Sequence, residues 1–438
     1  MTATYIPLGS WERLLALAHR RDNAFCAGWL AELDRPLDVD LVGAALAAVR
    51  GAYPAYFARV RDDGQNFVLQ SEPQRPIEEM IRHTPRFEGG GAAYVRALAN
   101  DRLDPVDDGS VRCHLVDGPI PLIALQMTHV PGDGYGNWRL REALAGAIGA
   151  LSGGLPAAVE PAEAVHDISY DGIRSALSMD VRAFEDVARR AGRLRELRMS
   201  ADAPGDDGAY ELRVFQASVD VPRYARVVSR ARALGVTPVA LLAAAFVRAA
   251  SAACDPWADR RRDFIALNMP RDFRGLLGLA GRIGNVTFPQ GLPVLDDDPH
   301  DHEALAPVLF ERLQRGRTNL LMYRHFLRIV HDAGVVAMPT AAPLLRLKRS
   351  EGRLVLDPFS AFGATEVLHR GDFETLGPAR VVRTLFQTPM LTRRFANGRA
   401  HLSCTVRWHP AMDARLRSLF AGFVERLFGG DPVEWELL

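Results

Sequence analysis

The chain has 438 residues, of which 48% are hydrophobic and 24% are charged. This composition is typical of a globular protein with one large domain or two ordinary ones. Lys plus Arg and Asp plus Glu both number 53, so the formal net charge is zero. A neutral chain has no overall attraction to nucleic acid or to an anionic membrane, and we expect neither as a partner.

The positions of the cysteines and of the apolar runs exclude further classes of protein. The four cysteines, at positions 26, 113, 254 and 404, form no C-x-x-C pair and no His/Cys cluster at metal-ligand spacing. We therefore predict neither a disulfide framework nor a structural zinc. No basic region followed by an apolar core opens the sequence, and the uncharged run at 233–247 is shorter than the roughly 20 residues of a transmembrane helix. A soluble, cytoplasmic protein without a transmembrane segment is expected.

The first elements of the chain alternate between strand and helix signals. Apolar stretches at 27–33 and 67–70 predict strands. Between them, Asp38 begins a helical pattern whose apolar residues share one face, and Pro54 ends it. A helix between two strands is the expected start of a mixed fold.

Two further strands are predicted before the most informative stretch. The first covers 112–117 and is followed by the turn Asp117-Gly118-Pro119. The second is the run Ile120–Met127, whose length and branched residues favour a buried strand over a helix. This strand is expected to end at His129.

The stretch Gln126–Trp138 reads QMTHVPGDGYGNW and contains the pattern His129-x-x-x-Asp133-Gly134. Pro131 and the glycines exclude regular structure, and helical spacing resumes over Trp138–Ile148. A histidine at the end of a strand, on a Gly-rich turn before a helix, can be aimed into a cleft by a rigid scaffold. From these residues alone, a core histidine beside a turn-forming Asp-Gly is an equal alternative.

The middle of the chain reads as a connection between two halves. Residues 153–163 are rich in Gly, Pro and Ala, and 201–209 form a polar linker, so the second half begins near Tyr210. Between them, an arginine-rich helix is predicted at 173–197. It could be a docking face for an acidic partner, but a solvated helix face is the favoured interpretation.

The second half repeats the alternation of strands and helices. Thr237 is a predicted N-cap, with Pro238 at the first helical position. Strands are predicted at Glu211–Val219, Phe264–Met269 and Ala400–Trp408, and helices at Arg223–Leu234, Val239–Ala249, His302–His331 and Met412–Phe428. The strand-helix-strand order on both sides of the linker suggests two similar halves.

The HxxxDG motif, its preceding strand and its place about a third of the way along the chain resemble the chloramphenicol acetyltransferase-like superfamily. That superfamily includes nonribosomal-peptide condensation domains, polyketide-associated acyltransferases, wax-ester synthases and plant BAHD acyltransferases. Its fuller signature is HHxxxDG with the second His catalytic, and Thr128 stands here where the first His would be. The segment Asn268–Phe288 resembles the superfamily's second-half motif, in which an Arg after a strand precedes a Gly-Asn pair, here Gly284-Asn285.

Two other positions limit the branch of the superfamily. Ser360-Ala361-Phe362-Gly363 stands where condensation-like relatives have Ser-Asn-x-Gly, with Ala361 replacing Asn. The BAHD hallmark DFGWG is absent, which argues against the plant branch. The resemblance covers nearly the whole chain.

The resemblance implies an α/β (α+β) fold of two similar halves, each a mixed sheet flanked by helices, with an active-site tunnel between them. Residues 1–165 would form the half with the motif, 166–209 the connection, and 210–438 the half that completes the tunnel. In relatives, the motif Asp pairs with an Arg from the other half and does not act as a base. Arg271 is the candidate partner of Asp133, with Arg274 and Arg282 as competitors.

The same resemblance implies acyl transfer from a coenzyme A or carrier-protein thioester to a hydroxyl or amine, in secondary-metabolite or lipid biosynthesis. His129 would be the general base, a role that contributes roughly 10² to 10⁴ in rate. Histidine suits it because an ordinary pKa of about 6.5 leaves the ring mostly neutral at pH 7. Ester formation is favoured over peptide-bond formation. The alternative is a catalytically silent binding or docking module.

Other expectations concern the surroundings of His129. Gly134 would allow a tight turn where a side chain would obstruct the tunnel. No covalent acyl-enzyme is predicted, since there is no G-x-S-x-G elbow and no cysteine lies beside the histidine motif. No metal or organic cofactor is expected, the partners being a small-molecule acceptor and an acyl-CoA or acyl carrier protein, and the protein is expected to be a monomer. The candidate substrate-binding residues are Tyr135, Asn137, Trp138, Asn285 and Ser360.

Overall fold

The computed structural model describes the chain in the following ranges: 5–9, 12–13, 15–16, 26–62, 67–88, 91–165, 197–198, 211–253, 255–256, 264–295, 297–315, 353–354, 364–366, 382–386, 391–396, 398–430 and 432–438. Four predictions lie wholly or partly outside these ranges: residues 316–331 of the helix predicted at His302–His331, the turn at Ser360, the linker at 201–209, and most of the arginine-rich helix at 173–197. The last residue of that predicted helix, Leu197, lies in a two-residue strand.

Helices and strands occur in both halves of the described chain. The helices are α1 (Val39–Ala52), α2 (Gly91–Asn100), α3 (Gly134–Ser152), α4 (Val221–Ala233), α5 (Pro238–Ala253), α6 (Arg274–Leu277), α7 (His302–Arg315) and α8 (Asp413–Phe428). The strands up to residue 198 are β1 (Tyr5–Pro7), β2 (Cys26–Glu32), β3 (Arg59–Asp62), β4 (Phe67–Gln70), β5 (Ile81–Thr84), β6 (Val111–Val116), β7 (Leu122–Thr128) and β8 (Leu197–Arg198). The later strands are β9 (Glu211–Asp220), β10 (Asp255–Pro256), β11 (Phe264–Asp272), β12 (Thr287–Leu295), β13 (Arg353–Leu354), β14 (Ala364–Glu366), β15 (Val382–Phe386), β16 (Leu391–Ala396), β17 (Arg399–Trp408) and β18 (Trp435–Leu437).

The predicted helices begin where capping chemistry places them. The Asp38 carboxylate accepts hydrogen bonds from the backbone N–H groups of Asp40 (2.7 Å) and Leu41 (3.3 Å) and so caps α1. Thr237 accepts from the N–H of Ala240 at 3.4 Å at the start of α5, as its position before a proline predicts. The helix predictions for these two segments are confirmed.

The strand before the histidine motif lies in the middle of a five-stranded sheet. The order is β15-β2-β7-β6-β5, and β7 pairs antiparallel with both β2 and β6. All seven residues of β7 are buried, as expected for an uninterrupted apolar run. Its odd-numbered residues pack with helices α1 and α3, whereas Leu122 and Ala124 share a core cluster with Val214 of the second half. The strand is therefore covered on both faces and delivers His129 at its end.

The second half is built on another five-stranded sheet, with the order β14-β16-β17-β9-β18. Helix α5 packs against α7 and α8, and it contributes more apolar residues to the core there than any other element. Phe215 of β9 stacks on Phe420 of α8 with a centroid distance of 4.0 Å. The α/β fold of mixed sheets flanked by helices, expected from the resemblance, is confirmed.

The first sheet is not made by the first 165 residues alone. Strand β15, at 382–386, pairs antiparallel with β2, with Phe386 opposite Ala27. A strand from the segment assigned to the second half thus forms an edge of the sheet that carries the histidine.

Within the described residues, no single helix is long and apolar enough to cross a membrane. The consecutive helices α4 and α5 reach that length and composition only as a pair, and they are bent by 97° relative to each other.

A buried histidine lies on the face of the first sheet that is turned toward the second half. His114 of β6 has its Nδ1 3.0 Å from the Tyr94 hydroxyl, and its Nε2 is 3.9 Å from the Asp101 carboxylate. Burial lowers the pKa of His114 to about 4; Asp101 opposes this shift, and Arg112 and Arg82 add to it. The ring is therefore neutral in the folded protein.

The low pKa of His114 predicts a pH-dependent stability. An unfolded histidine with a pKa near 6.5 binds its proton before the folded one, so stability falls as the pH drops from about 6.5 toward 4. Between pH 7 and pH 5 we expect this group to remove about 2 kcal/mol of unfolding free energy. Urea unfolding at both pH values should show a smaller loss in His114→Gln than in the wild type. Equal losses in both proteins would contradict the prediction.

Candidate active site

His129 follows β7 directly and opens the loop that leads to α3. It is partly exposed, whereas Val130, Pro131 and Gly132 behind it are buried. Helix α3 begins at Gly134, earlier than the predicted start at Trp138, because Asp133 caps it. The strand-turn-helix arrangement around the motif is confirmed.

The Asp133 carboxylate accepts five hydrogen bonds. Its Oδ1 receives the backbone N–H groups of Tyr135 (3.1 Å) and Gly136 (3.3 Å) and the Nη2 of Arg274 (2.9 Å). Its Oδ2 receives the Nη1 of Arg274 and the backbone N–H of Val286, both at 3.0 Å. Asp133 is only 4% exposed, so its oxygens are occupied by the protein. The carboxylate is suited to holding the loop and not to taking a proton from a substrate.

Arg274 has all five of its N–H donors in hydrogen bonds. Besides the two bonds to Asp133, its Nε donates to the Arg282 carbonyl (2.7 Å), Nη1 to Asp272 (3.0 Å) and Nη2 to the Gly284 carbonyl (2.9 Å). Burial alone would lower the pKa of Arg274, but Asp133 and then Asp272 reverse this and raise the pKa above its usual range. The guanidinium therefore stays charged and links the two halves of the chain.

The expectation that Arg271 pairs with Asp133 is wrong. Arg271 lies within β11 opposite Phe288, and its guanidinium is 5.1 Å from the centre of the Phe273 ring. The chain turns after Asp272, whose carboxylate accepts the N–H of Arg274 at 2.9 Å. This turn, and not the strand, directs an arginine toward the loop of the first half.

The third candidate, Arg282, contributes only its backbone to this arrangement. Its side chain is paired with Glu163 at 2.9 Å and is 41% exposed. The resemblance therefore identified the correct segment, and the partner is the competitor three residues beyond Arg271.

Each residue of the Gly284-Asn285 pair makes a different contact that accounts for its identity. Gly284 has a φ of 139°, and a Cβ at this position would overlap the carbonyl oxygen of Val165. The Asn285 side chain donates to the carbonyls of His129 (3.0 Å) and Val130 (3.1 Å). Asn285 was expected to bind substrate, but the structure places its amide group on the backbone of the histidine loop.

The loop requires glycine at positions other than Gly134, where the sequence predicts it. A Cβ added at Gly134 would meet no atom of the described chain within 4 Å, and Gly134 is exposed. At Gly132 and Gly136, by contrast, an added Cβ would overlap the hydroxyl of Tyr56. Within the described chain, close packing therefore requires glycine at positions 132 and 136, and not at position 134.

The remaining substrate-binding candidates are separated by the structure. Tyr135 and Trp138 are partly exposed, with ring centroids 5.5 Å apart, and Arg274 lies 4.5 Å from the centre of the Tyr135 ring. Asn137 is 5% exposed, and neither polar atom of its amide has a hydrogen-bond partner among the described residues. Tyr135 and Trp138 are therefore accessible to solvent, whereas Asn137 is enclosed.

No cysteine lies beside the histidine motif along the sequence, but the sheet brings the backbone of one next to it. Cys26 of β2 is directly opposite Thr128 in the sheet register, although 102 positions separate them in the sequence. Burial raises the pKa of the Cys113 thiol to about 12, so it is not a nucleophile. Across the described ranges, no three His, Cys, Asp or Glu side chains are grouped as metal ligands would be.

Sequence reasoning missed two contributors to this site. The backbone N–H of Val286 had no recognisable signal, because any residue except proline could supply it. Tyr56 lies 73 positions before His129, and its contact with the loop glycines arises only in the folded chain. The glycines at 132 and 136 were a visible sign that something approaches the loop closely.

No protein-family model matches the sequence, and no curated protein matches it. Solved structures, however, share its fold. The first condensation domain of the calcium-dependent antibiotic synthetase, in complex with a substrate analogue, superposes with a TM-score of 0.64 at 16% identity, and the match covers 99% of each chain. For the condensation domain from the monacolin K polyketide synthase MokA, the TM-score is 0.62 at 13% identity, over 97% of this chain and 96% of that one.

A longer protein also contains a matching part. The nonribosomal peptide synthetase FmoA3 matches 97% of this chain with a TM-score of 0.58 at 18% identity, but only 42% of FmoA3 is covered. The chain therefore has the fold of these condensation domains. It spans less than half the length of that synthetase.

Proposed function

We propose that the protein transfers an acyl group from a thioester to a hydroxyl or amine acceptor, with His129 as the general base. The observation that carries the proposal is the way the second half holds the histidine loop. Asn285 binds the carbonyls of His129 and Val130, and Arg274 binds Asp133 four residues further on. A partly exposed histidine held at both ends of its loop suits catalysis by a preorganised base.

The proposed reaction uses one imidazole for two proton transfers. His129 takes the proton of the acceptor O–H or N–H while the acceptor's oxygen or nitrogen attacks the thioester carbonyl carbon. The tetrahedral intermediate then collapses with cleavage of the C–S bond, and the imidazolium returns the proton to the leaving thiolate. The products are an ester or amide and a free thiol, so no covalent acyl-enzyme is needed.

The intermediate's negative oxygen requires hydrogen-bond donors. The backbone N–H groups of Tyr135 and Gly136 already donate to Asp133, and that of Asp133 donates to the Gly284 carbonyl. On this turn we propose the backbone N–H of Gly134, an exposed residue, as a donor to the oxyanion.

The donor is proposed to be a carrier-protein or coenzyme A thioester. Solved structures that share this fold include condensation domains of a peptide synthetase and of a polyketide synthase, which supports a phosphopantetheinyl carrier protein as donor. We propose no metal or organic cofactor, because the thioester is already an activated acyl group. We propose ester formation over amide formation, as in the wax-ester synthases of the superfamily that the sequence resembles.

The test is a thiol-release assay coupled to mass spectrometry of the products. Purified protein is mixed with acyl-CoA or acyl-carrier-protein thioesters and with alcohol or amine acceptors. We expect thiol release that depends on the acceptor in the wild type and disappears in His129→Ala. The carrier that supports release identifies the donor class, and the product mass identifies the acylated atom type.

A catalytically silent binding module is the second candidate. The observation that favours it is Thr128, which replaces the first histidine of HHxxxDG and whose hydroxyl has no hydrogen-bond partner in the described part of the chain. Tight binding of an acyl carrier protein to wild type, without thiol release with any donor and acceptor, would favour this candidate over the enzyme.

A further inference from the structure

Tyr56 is buried completely beneath the histidine loop. It lies in the short 3-10 helix Pro54–Phe57, which follows α1, and its side chain is inaccessible to solvent. Its hydroxyl has no hydrogen-bond partner among the described residues, although a buried tyrosine hydroxyl usually finds one. A phenylalanine would place the same ring there without burying an unpaired polar atom, so it would differ from the tyrosine only by the lost oxygen.

The hydroxyl of Tyr56 stands between the two glycines that flank the Asp133-Gly134 pair. A Cβ at either Gly132 or Gly136 would overlap the phenol oxygen. Such a Cβ would lie 3.0 Å from the ring carbon Cζ at Gly132, and 3.4 Å from it at Gly136. The loop therefore rests on the phenol oxygen at two points that lie four residues apart.

The charge state of Tyr56 is consistent with a neutral spacer. Burial, followed by the nearby Asp133 carboxylate, raises the pKa of the phenol well above its usual value. The phenol thus keeps its proton, and with no hydrogen-bond partner its oxygen acts on the loop through its volume. The two glycines provide the room that this oxygen occupies.

We propose that Tyr56 is a positioning residue for the reaction proposed above, and this inference rests on that proposed function. Its phenol oxygen sets the distance between the end of α1 and the loop from Gly132 to Gly136. Because His129 lies on the same loop, this distance fixes the position of its imidazole relative to the substrate. Asn285 and Arg274 hold the loop from the second half, whereas Tyr56 supports it from within the first half.

The test removes the phenol oxygen of Tyr56, adds a methyl group at Gly136, and combines the two changes. Tyr56→Phe removes the oxygen, Gly136→Ala adds a methyl group that overlaps it, and the double variant does both. At Gly136, the nearest atoms left without the oxygen are Cζ at 3.4 Å and the Ile283 Cβ at 3.6 Å, which are close to ordinary contacts. Gly146→Ala is the matched control, because it lies in the same helix, is exposed, and meets no atom within 4 Å.

We expect each single variant to lower kcat about tenfold with KM within about twofold of the wild-type value, since small displacements of a reacting group are costly. The double variant should recover kcat to within about threefold of the wild type, because the methyl group refills the space of the lost oxygen. Gly146→Ala should have wild-type kinetics. A folded Tyr56→Phe with wild-type kcat, or a double variant no better than Gly136→Ala, would overturn the proposal.

A spectroscopic measurement keeps the inference separate from the acyl-transfer proposal. The imidazole NMR signals of His129, assigned by their loss in His129→Ala, can be recorded whether or not a substrate is found. We expect them to shift in Tyr56→Phe and to return toward the wild-type position in the double variant. Unchanged signals in Tyr56→Phe would overturn the positioning role, even if acyl transfer is established. If Gly136→Ala does not fold, Tyr56→Phe and the double variant still decide the outcome.

Discussion

Replacing Arg274 with alanine is expected to lower the free energy of unfolding by about 3–5 kcal/mol, because it leaves the charge of Asp133 buried without its partner. The two side chains are 4% and 5% exposed and are joined by two hydrogen bonds of 2.9 and 3.0 Å. The variant also loses the bonds to the carbonyls of Arg282 and Gly284. Urea or guanidinium unfolding of the two proteins at the same pH measures the difference.

The two neighbouring arginines supply matched controls. Arg271→Ala and Arg282→Ala remove the same side chain from the same segment, but from positions that are partly exposed or exposed and do not contact Asp133. Each should cost about 1 kcal/mol or less. Arg274→Lys should lower the free energy of unfolding by more than these two variants and by less than Arg274→Ala. An ammonium cannot donate to both carboxylate oxygens in the same geometry. An Arg274→Ala variant no less stable than Arg271→Ala would show that the pair does not hold the halves together.

Replacing His129 with alanine is expected to lower kcat by roughly 10² to 10⁴, the usual contribution of a positioned general base. The fold should be little affected. The side chain is partly exposed, and the loop is held through the His129 and Val130 carbonyls and through Asp133, all of which the variant keeps. The measurement is the steady-state rate of thiol release with the best donor and acceptor, alongside thermal unfolding of the same samples.

The control for His129 is a histidine on the same sheet that lies away from the loop. His83 of β5 is paired with Asp117 at 2.9 Å and is exposed. His83→Ala should leave kcat within about twofold of the wild-type value, because β5 is an edge strand that β6 separates from β7, the strand that leads to His129. Full activity in a folded His129→Ala protein would exclude the general-base role.

Features that depend on neighbouring residues could be predicted from the sequence. The buried strand β7 follows from its apolar run, α1 from Asp38 and its apolar face, and α5 from Thr237 and Pro238. The HxxxDG motif and the Gly-Asn pair also pointed to the two segments that meet at the site. These signals are local, because side-chain periodicity and capping involve residues only a few positions apart.

Contacts between distant segments were decided only by the tertiary structure. Asp133 and Arg274 are 141 positions apart, and periodicity along the chain does not distinguish Arg274 from Arg271. The choice depends on the turn after Asp272, which carries one arginine over the loop and leaves the other on Phe273. The same holds for Asn285 on the His129 carbonyl.

Close packing and strand order also depend on segments that are distant in the sequence. The sequence showed glycines at 132 and 136, but only the folded chain shows that the Tyr56 hydroxyl occupies the space beside them. It likewise placed Cys26 far from the motif, whereas sheet register sets it opposite Thr128. Local patterns determine which elements form and where they end. Which atoms meet between those elements is set by the packing of the whole chain, because each such contact depends on the position and direction of two distant backbones.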